Sequence, residues 1–166
     1  MYLENINLLI VDIPKNGSKT LKRAAQLAGH TIMFPGHYTY KESMEKIGAT
    51  YGDRRPDVAY VVRKPQDRFV SAVQFLYKGH YDQEKFMDEL IEHLKSGTIS
   101  SLGRAARHAF TPQFHYIHGA KHAKMFPMEK IGELCRRVGF LGPIPHKNPS
   151  NKSLHREIIL SHRGTQ

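Results

Sequence analysis

Apolar residues along this chain fall into two rhythms, short continuous runs and stripes spaced three or four residues apart, and the two rhythms alternate. Asn7 to Ile13 is a compact apolar run and predicts a buried strand. Lys19 to Ala28 follows with Leu21, Ala24, Ala25 and Ala28 at helical spacing, and Gly29 stops it. Thr31 to Phe34 reads as a second strand, Tyr40 to Ile47 as a helix, and Val58 to Val62, rich in β-branched and aromatic residues, as a third strand. A helix then opens at Pro65, with Asp67 in its first turn and a stripe of Phe69, Val73 and Leu76 running toward Lys78. Phe86, Leu90, Ile91 and Leu94 mark another helix ending near Gly97, whereas 98–107 has no clear period. Lys124 to Pro127 is a last short strand and Glu129 to Val138 a helix with Ile131, Leu134 and Val138 inward. From Pro143 the chain is rich in Pro, Asn and Ser and reads as loop, with a short helical segment over Leu154 to Leu160. Strand and helix alternating in this way predict an α/β fold, a small central parallel sheet flanked by helices.

The length, 166 residues, suits a single domain over 1–166 with one continuous core. A composition of 40% hydrophobic and 24% charged residues excludes a disordered or low-complexity chain. Charge changes the picture more. The 25 Lys and Arg against 15 Asp and Glu give a formal +10, a field that attracts nucleotides, nucleic acids or acidic glycans without choosing among them. Cys135 is the one cysteine, which excludes an internal disulfide, argues against a cysteine-based zinc site and suits a reducing compartment. The start of the chain has no basic stretch followed by an apolar one, and the apolar runs are strand-sized. A cytoplasmic protein with no membrane partner is the expectation.

Two constellations carry chemistry. Ile13-Pro-Lys-Asn-Gly-Ser-Lys-Thr20 joins a predicted strand to a helix N-terminus. Unpaired N–H groups converge there, the helix dipole favours negative charge, and Gly17 lets an anion approach the backbone. Lys15 and Lys19 add charge, and Ser18 and Thr20 add hydroxyl donors. A triphosphate loop of the form G-x-x-x-x-G-K-[ST] fits poorly, because Ser18 separates Gly17 from Lys19 and the upstream glycine is missing. The second constellation, Val61-Val-Arg-Lys-Pro-Gln-Asp-Arg-Phe-Val-Ser71, runs from the third strand into its helix. Arg63 leaves the sheet at its carboxyl edge, where ligands of open α/β sheets settle, and a guanidinium with the Ser71 hydroxyl suits a phosphate monoester. Arg68 is read as a capping or ion-pairing residue.

In order and spacing these segments resemble the nucleotide-binding elements of sulfotransferases that use 3′-phosphoadenosine 5′-phosphosulfate. Pro14 to Thr20 is similar to the family's 5′-phosphosulfate loop, and Arg63 to Ser71 to its 3′-phosphate element with the pattern Arg-x-Pro-x-x-Arg-Phe-x-Ser. Weaker echoes are Thr111-Pro112-Gln113, Glu129 at a helix start and the loop from His146 to Ser153, closer to the carbohydrate, Golgi-type branch. Lys19 departs from the small residue usual in the family. The resemblance implies a P-loop-like three-layer fold and transfer of a sulfuryl group to a hydroxyl acceptor, a saccharide or other anionic glycan. Adenosine 3′,5′-bisphosphate would be the product, and no metal is needed. It further implies that Lys15 contacts the leaving oxygen, that Asn16, Gly17, Ser18, Lys19 and Thr20 hold the 5′-phosphosulfate, and that Arg63 and Ser71 hold the 3′-phosphate.

Such a transfer needs a group to take the acceptor's proton, and histidine titrates nearest to neutral pH. His37, in Phe-Pro-Gly-His-Tyr just past the second strand, is the expected catalytic base, with Glu42 as runner-up. His115, His118 and His122 share a spacing that invites a metal, but Gly119 interrupts it and no carboxylate or cysteine completes the set, so no metal site is assigned. Two readings compete: a small ATP-dependent kinase with a degenerate phosphate loop, and a basic nucleic-acid-binding module, although no recognised nucleic-acid motif is present.

Overall fold

Leu8, Leu9, Ile10 and Val11 are all buried, as a strand covered on both faces must be, and they form the middle of the sheet. The computed structural model describes residues 1–77 and 83–145; the expected loop from His146 to Ser153 and the segment Leu154 to Leu160 lie outside the described residues. In chain order the elements are β1 (Tyr2–Leu3), β2 (Leu8–Val11), α1 (Ser18–Leu27), β3 (Ile32–Met33), α2 (Tyr40–Tyr51) and β4 (Asp57–Val62). They continue with α3 (Pro65–Tyr77), α4 (Gln83–Lys95), α5 (Arg104–Phe110), α6 (Gln113–Ile117), β5 (Lys124–Pro127) and α7 (Ile131–Arg137). The described residues divide into two compact units, 1–64 with 111–145, and 65–77 with 83–110.

The first unit holds the whole sheet, in the order β3-β1-β2-β4-β5. β2, β4 and β5 pair in parallel, with Val11 opposite Tyr60 and Val61 opposite Phe126. The expectation of an all-parallel sheet is corrected by β1, which pairs antiparallel to β2 on one side and to β3 on the other. A 3₁₀ turn over Glu4–Ile6 makes this possible, closed by Asn7 in the left-handed conformation at φ 48°, which asparagine tolerates better than most residues. A reversal that tight can only return the chain antiparallel to itself.

Strand alternation sends Leu8, Ile10, Ala59 and Val61 to one face, where they pack with Leu21, Ala24 and Ala25 of α1, Leu134 and Cys135 of α7, and Val138 just past its end. Leu9, Val11, Val58 and Tyr60 face the other way, against Met44 and Ile47 of α2 and Tyr116 of α6. The unit is therefore helix, mixed sheet and helix in three layers. α2 starts from a full capping box: the Thr39 hydroxyl accepts from Glu42 N–H, while the Glu42 carboxylate accepts from Thr39 N–H at 2.7 Å.

The second unit is helical. Val73 and Leu76 of α3, Phe86 and Leu90 of α4 and Ala106 of α5 form its core, and the Phe69 and Phe110 rings pack 5.5 Å apart. The stretch without a clear period resolves into a 3₁₀ turn over Ile99–Leu102 and then α5. Arg68 is buried in α3 rather than set on its surface. Among the described residues no helix is long and apolar enough to cross a membrane.

Candidate functional site

The parallel pairing of β2 with β4 brings the ends of these strands side by side, so the loops that follow them start from one edge of the sheet. The chain leaves β2 through Asp12 and Ile13, both buried, and turns at Pro14 to Gly17. Two residues of that turn are left-handed, Lys15 at φ 69° and Gly17 at φ 84°. Alternating handedness of this kind is the backbone pattern of anion-binding concavities; in this turn the Asn16 N–H donates to the Ile13 carbonyl at 3.2 Å, so the donors on offer are those at the start of α1. Gly17 is also the N-cap of α1, and it offers no side chain to cap the helix. The orphan N–H groups of α1 thus lack the side-chain cap that α2 has, on a ten-residue helix whose dipole adds to the attraction.

Glycine is required at 17 for two reasons. Its φ is left-handed, and a Cβ there would overlap the Ile131 Cδ1 methyl and press on Met128. Gly17→Ala is therefore expected to destabilise the fold by about 2 kcal/mol, read from the midpoint of urea unfolding. An unchanged midpoint would mean that neither the clash nor the backbone conformation constrains this position.

A side chain from elsewhere locks the loop to β4. Asn16, 2% exposed, donates through its amide nitrogen to the Val61 carbonyl at 2.6 Å and to Gln113 Oε1. Gln113 Oε1 also accepts from Arg63 N–H at 3.0 Å, and its Nε2 donates to the Arg63 carbonyl at 2.8 Å. Gln113 thereby acts as one more strand residue laid against Arg63, and ties that residue to the loop. The Arg63 guanidinium closes the arrangement by donating from Nη1 to the Lys15 carbonyl at 3.3 Å. Arg63 and Lys15, 48 residues apart, meet in the first unit.

The other expected site residues divide. Ser18 is half-buried and its hydroxyl lies 3.4 Å from the Ile13 carbonyl; Lys19 is exposed on the first turn of α1. The Thr20 hydroxyl, mostly buried, donates to the Pro145 carbonyl at 3.1 Å and so holds the helix to the chain's later segment. Asn16 is likewise engaged in holding the loop. Ser71, half-buried on α3, belongs to the second unit. His115, His118 and His122 do not share a helix face, since α6 ends at Ile117 and Gly119 turns the chain at φ 84°.

His37 lies beside the start of the same loop. Its Nδ1 is 2.8 Å from the Asp12 carbonyl oxygen and 3.5 Å from Asp12 Oδ1. On the far side of that carboxylate, Lys22 Nζ approaches Oδ2 at 2.9 Å, an ion pair without hydrogen-bond alignment. Burial pushes the Asp12 carboxyl up, but His37, Ser18 and Lys22 outweigh it and hold the group down at about 2. Burial likewise works against the His37 imidazolium, and the bonds and charge of Asp12 outweigh it, so the imidazole titrates above its usual value. Glu42 is different. Its carboxylate is held below the usual range by the N–H and hydroxyl of Thr39, so it serves as a helix cap rather than a proton acceptor.

Asp12 is the site residue that sequence reading missed, and Gln113, read there only as part of a weak family echo, proves to hold Arg63 and the loop together. Asp12 stands inside an apolar run, between Val11 and Ile13, and an acid in a run of that kind is itself a signal. A hollow lined by Glu4, Asn5, Thr31 and Arg54 lies at the opposite edge of the sheet, beside the amino end of β2, and touches none of these groups. Comparison of the chain with family models, curated proteins and solved structures gave no match.

Proposed function

We propose that the chain is a sulfotransferase that binds 3′-phosphoadenosine 5′-phosphosulfate at the carboxyl edge of its sheet and passes the sulfuryl group to a hydroxyl of a saccharide or other anionic glycan. One observation carries this reading: Arg63, the first residue of the segment that resembles the family's 3′ element, reaches the loop that resembles its 5′ element, with the guanidinium on the Lys15 carbonyl. The strand, left-handed turn and uncapped helix support the finer, P-loop-like description of the fold. The single cysteine, Cys135, suits work in a reducing, cytoplasmic setting.

Within the proposal, the N–H groups from Gly17 to Thr20 and the charge of Lys19 receive the 5′-phosphosulfate, and Arg63 receives the 3′-phosphate. In the transfer, the bond between sulfur and the bridging oxygen breaks as one between sulfur and the acceptor oxygen forms. The electron pair stays on the 5′-phosphate, where Lys15 offsets the new charge, and the acceptor's proton goes to His37. Rate comes from holding donor and acceptor oxygens in line, which a loop fixed by Asn16 and Gln113 is suited to do.

The test is a calorimetric comparison of adenosine 3′,5′-bisphosphate with adenosine 5′-monophosphate, ATP and nucleic acid. Adenosine 3′,5′-bisphosphate is expected to bind without magnesium, and Arg63→Ala to weaken it by roughly tenfold to a hundredfold while erasing the preference over adenosine 5′-monophosphate. Magnesium-dependent binding of ATP alone would favour a kinase, and strongly salt-dependent binding of DNA or RNA alone a nucleic-acid module. Either result would sink the sulfotransferase reading.

A further inference from the structure

The buried acid at the start of the phosphate loop has two basic side chains converging on it, His37 and Lys22. Asp12 is 3% exposed, and its carboxylate faces His37 with one oxygen and Lys22 with the other. Carboxylates are rarely buried this deeply unless paired, because desolvation works against the charge. The pairing also decides where the His37 protons sit. A backbone carbonyl can only accept, so the 2.8 Å contact with Asp12 O requires a hydrogen on Nδ1. In the neutral ring the lone pair is then on Nε2.

We propose that Asp12 is a positioning residue: through its carbonyl and carboxylate it fixes His37 in the Nδ1–H tautomer, leaving Nε2 to receive the acceptor's proton, while Lys22 balances the buried charge. The proposal rests on the sulfotransferase reading for the identity of the acceptor, and on the geometry alone for the tautomer. The step balances. The proton leaving the acceptor hydroxyl bonds to Nε2, the acceptor oxygen keeps its electron pair for sulfur, and the imidazolium so formed is stabilised by Asp12.

Among the described residues, Asp12 after β2 and Lys22 on α1 act on the charge of His37 in opposite directions. That opposition supplies a test. In the full ¹⁵N-labelled chain, long-range proton–nitrogen correlations should show neutral His37 as the Nδ1–H tautomer, identified by loss of its signals in His37→Gln. Asp12→Asn should lower the titration midpoint of His37, and Lys22→Met should raise it. With 3′-phosphoadenosine 5′-phosphosulfate as donor, Asp12→Asn should lower kcat about tenfold and leave the donor KM unchanged, because it acts through His37 rather than on the nucleotide.

An Nε2–H tautomer in the wild-type chain, or a His37 midpoint that moves in neither variant, would overturn the proposal. Should Asp12→Asn fail to fold, Lys22→Met and the wild-type tautomer still decide it. The titration needs no donor, whereas bisphosphate binding decides the sulfotransferase reading, so the two fail separately.

Discussion

Lys15→Ala is expected to lower turnover by about 10²–10³-fold, the cost of removing one preorganised group from the charge that develops on the leaving phosphate. Affinity for the donor should change much less, because the N–H groups of the loop and Arg63 remain. The conformation of Lys15 allows a sharper control than alanine. Lys15 has φ 69°, a strained value for a residue with a Cβ. Lys15→Gly should therefore lose turnover as fully as alanine does and yet keep or gain up to about 1 kcal/mol of stability, since glycine adopts that conformation without strain. A variant that is inactive and no less stable separates chemistry from folding. Steady-state kinetics and urea unfolding on the same preparation would check it, and retained turnover in Lys15→Gly would remove the lysine from the mechanism.

His37→Ala is expected to abolish general-base assistance, a fall of about 10²–10⁴-fold in kcat, with bisphosphate binding intact. Its pH signature has a definite sign. As a base His37 must be neutral, so the wild-type rate should climb as pH rises through its midpoint, which lies above the ordinary 6.5. That acidic limb should vanish in His37→Ala. The contribution of the same group to stability runs the other way: a midpoint raised by folding stabilises the fold fully below 6.5, and the effect fades as pH rises through the folded value. A rate profile with the same limb in both proteins would assign the proton to another group.

Most of the first unit was legible because its signals are local. The run before Pro14 reads as a strand, and the structure places β2 at Leu8–Val11. The stripe Leu21, Ala24, Ala25 reads as a helix, and α1 spans Ser18–Leu27. The strand over Lys124–Pro127 matches its expected bounds. What escaped was short or distant. β1 has two residues, too few for any period to register, and it alone makes the sheet mixed. α6 has five, screened by Thr111 and Pro112. The site followed the same rule: Lys15 to Thr20 announce themselves by glycine and charge beside a strand, whereas the role of Gln113 depends on contacts 50 and 97 residues away. Nor could spacing reveal that the Thr20 hydroxyl is engaged by Pro145, 125 residues on.

The Gln113 clip has a bearing on the order in which the molecule is born. As the chain leaves the ribosome, residues 13–20 and Arg63 emerge well before the side chain that fastens them together, and β5, which completes the sheet beside β4, comes later still. Contacts of such long separation close late in folding, after the local helices. A nascent or truncated chain ending before residue 111 would carry every conspicuous phosphate-binding residue and still lack the clasp on its cradle, so competence arrives only when nearly the whole first unit has been synthesised.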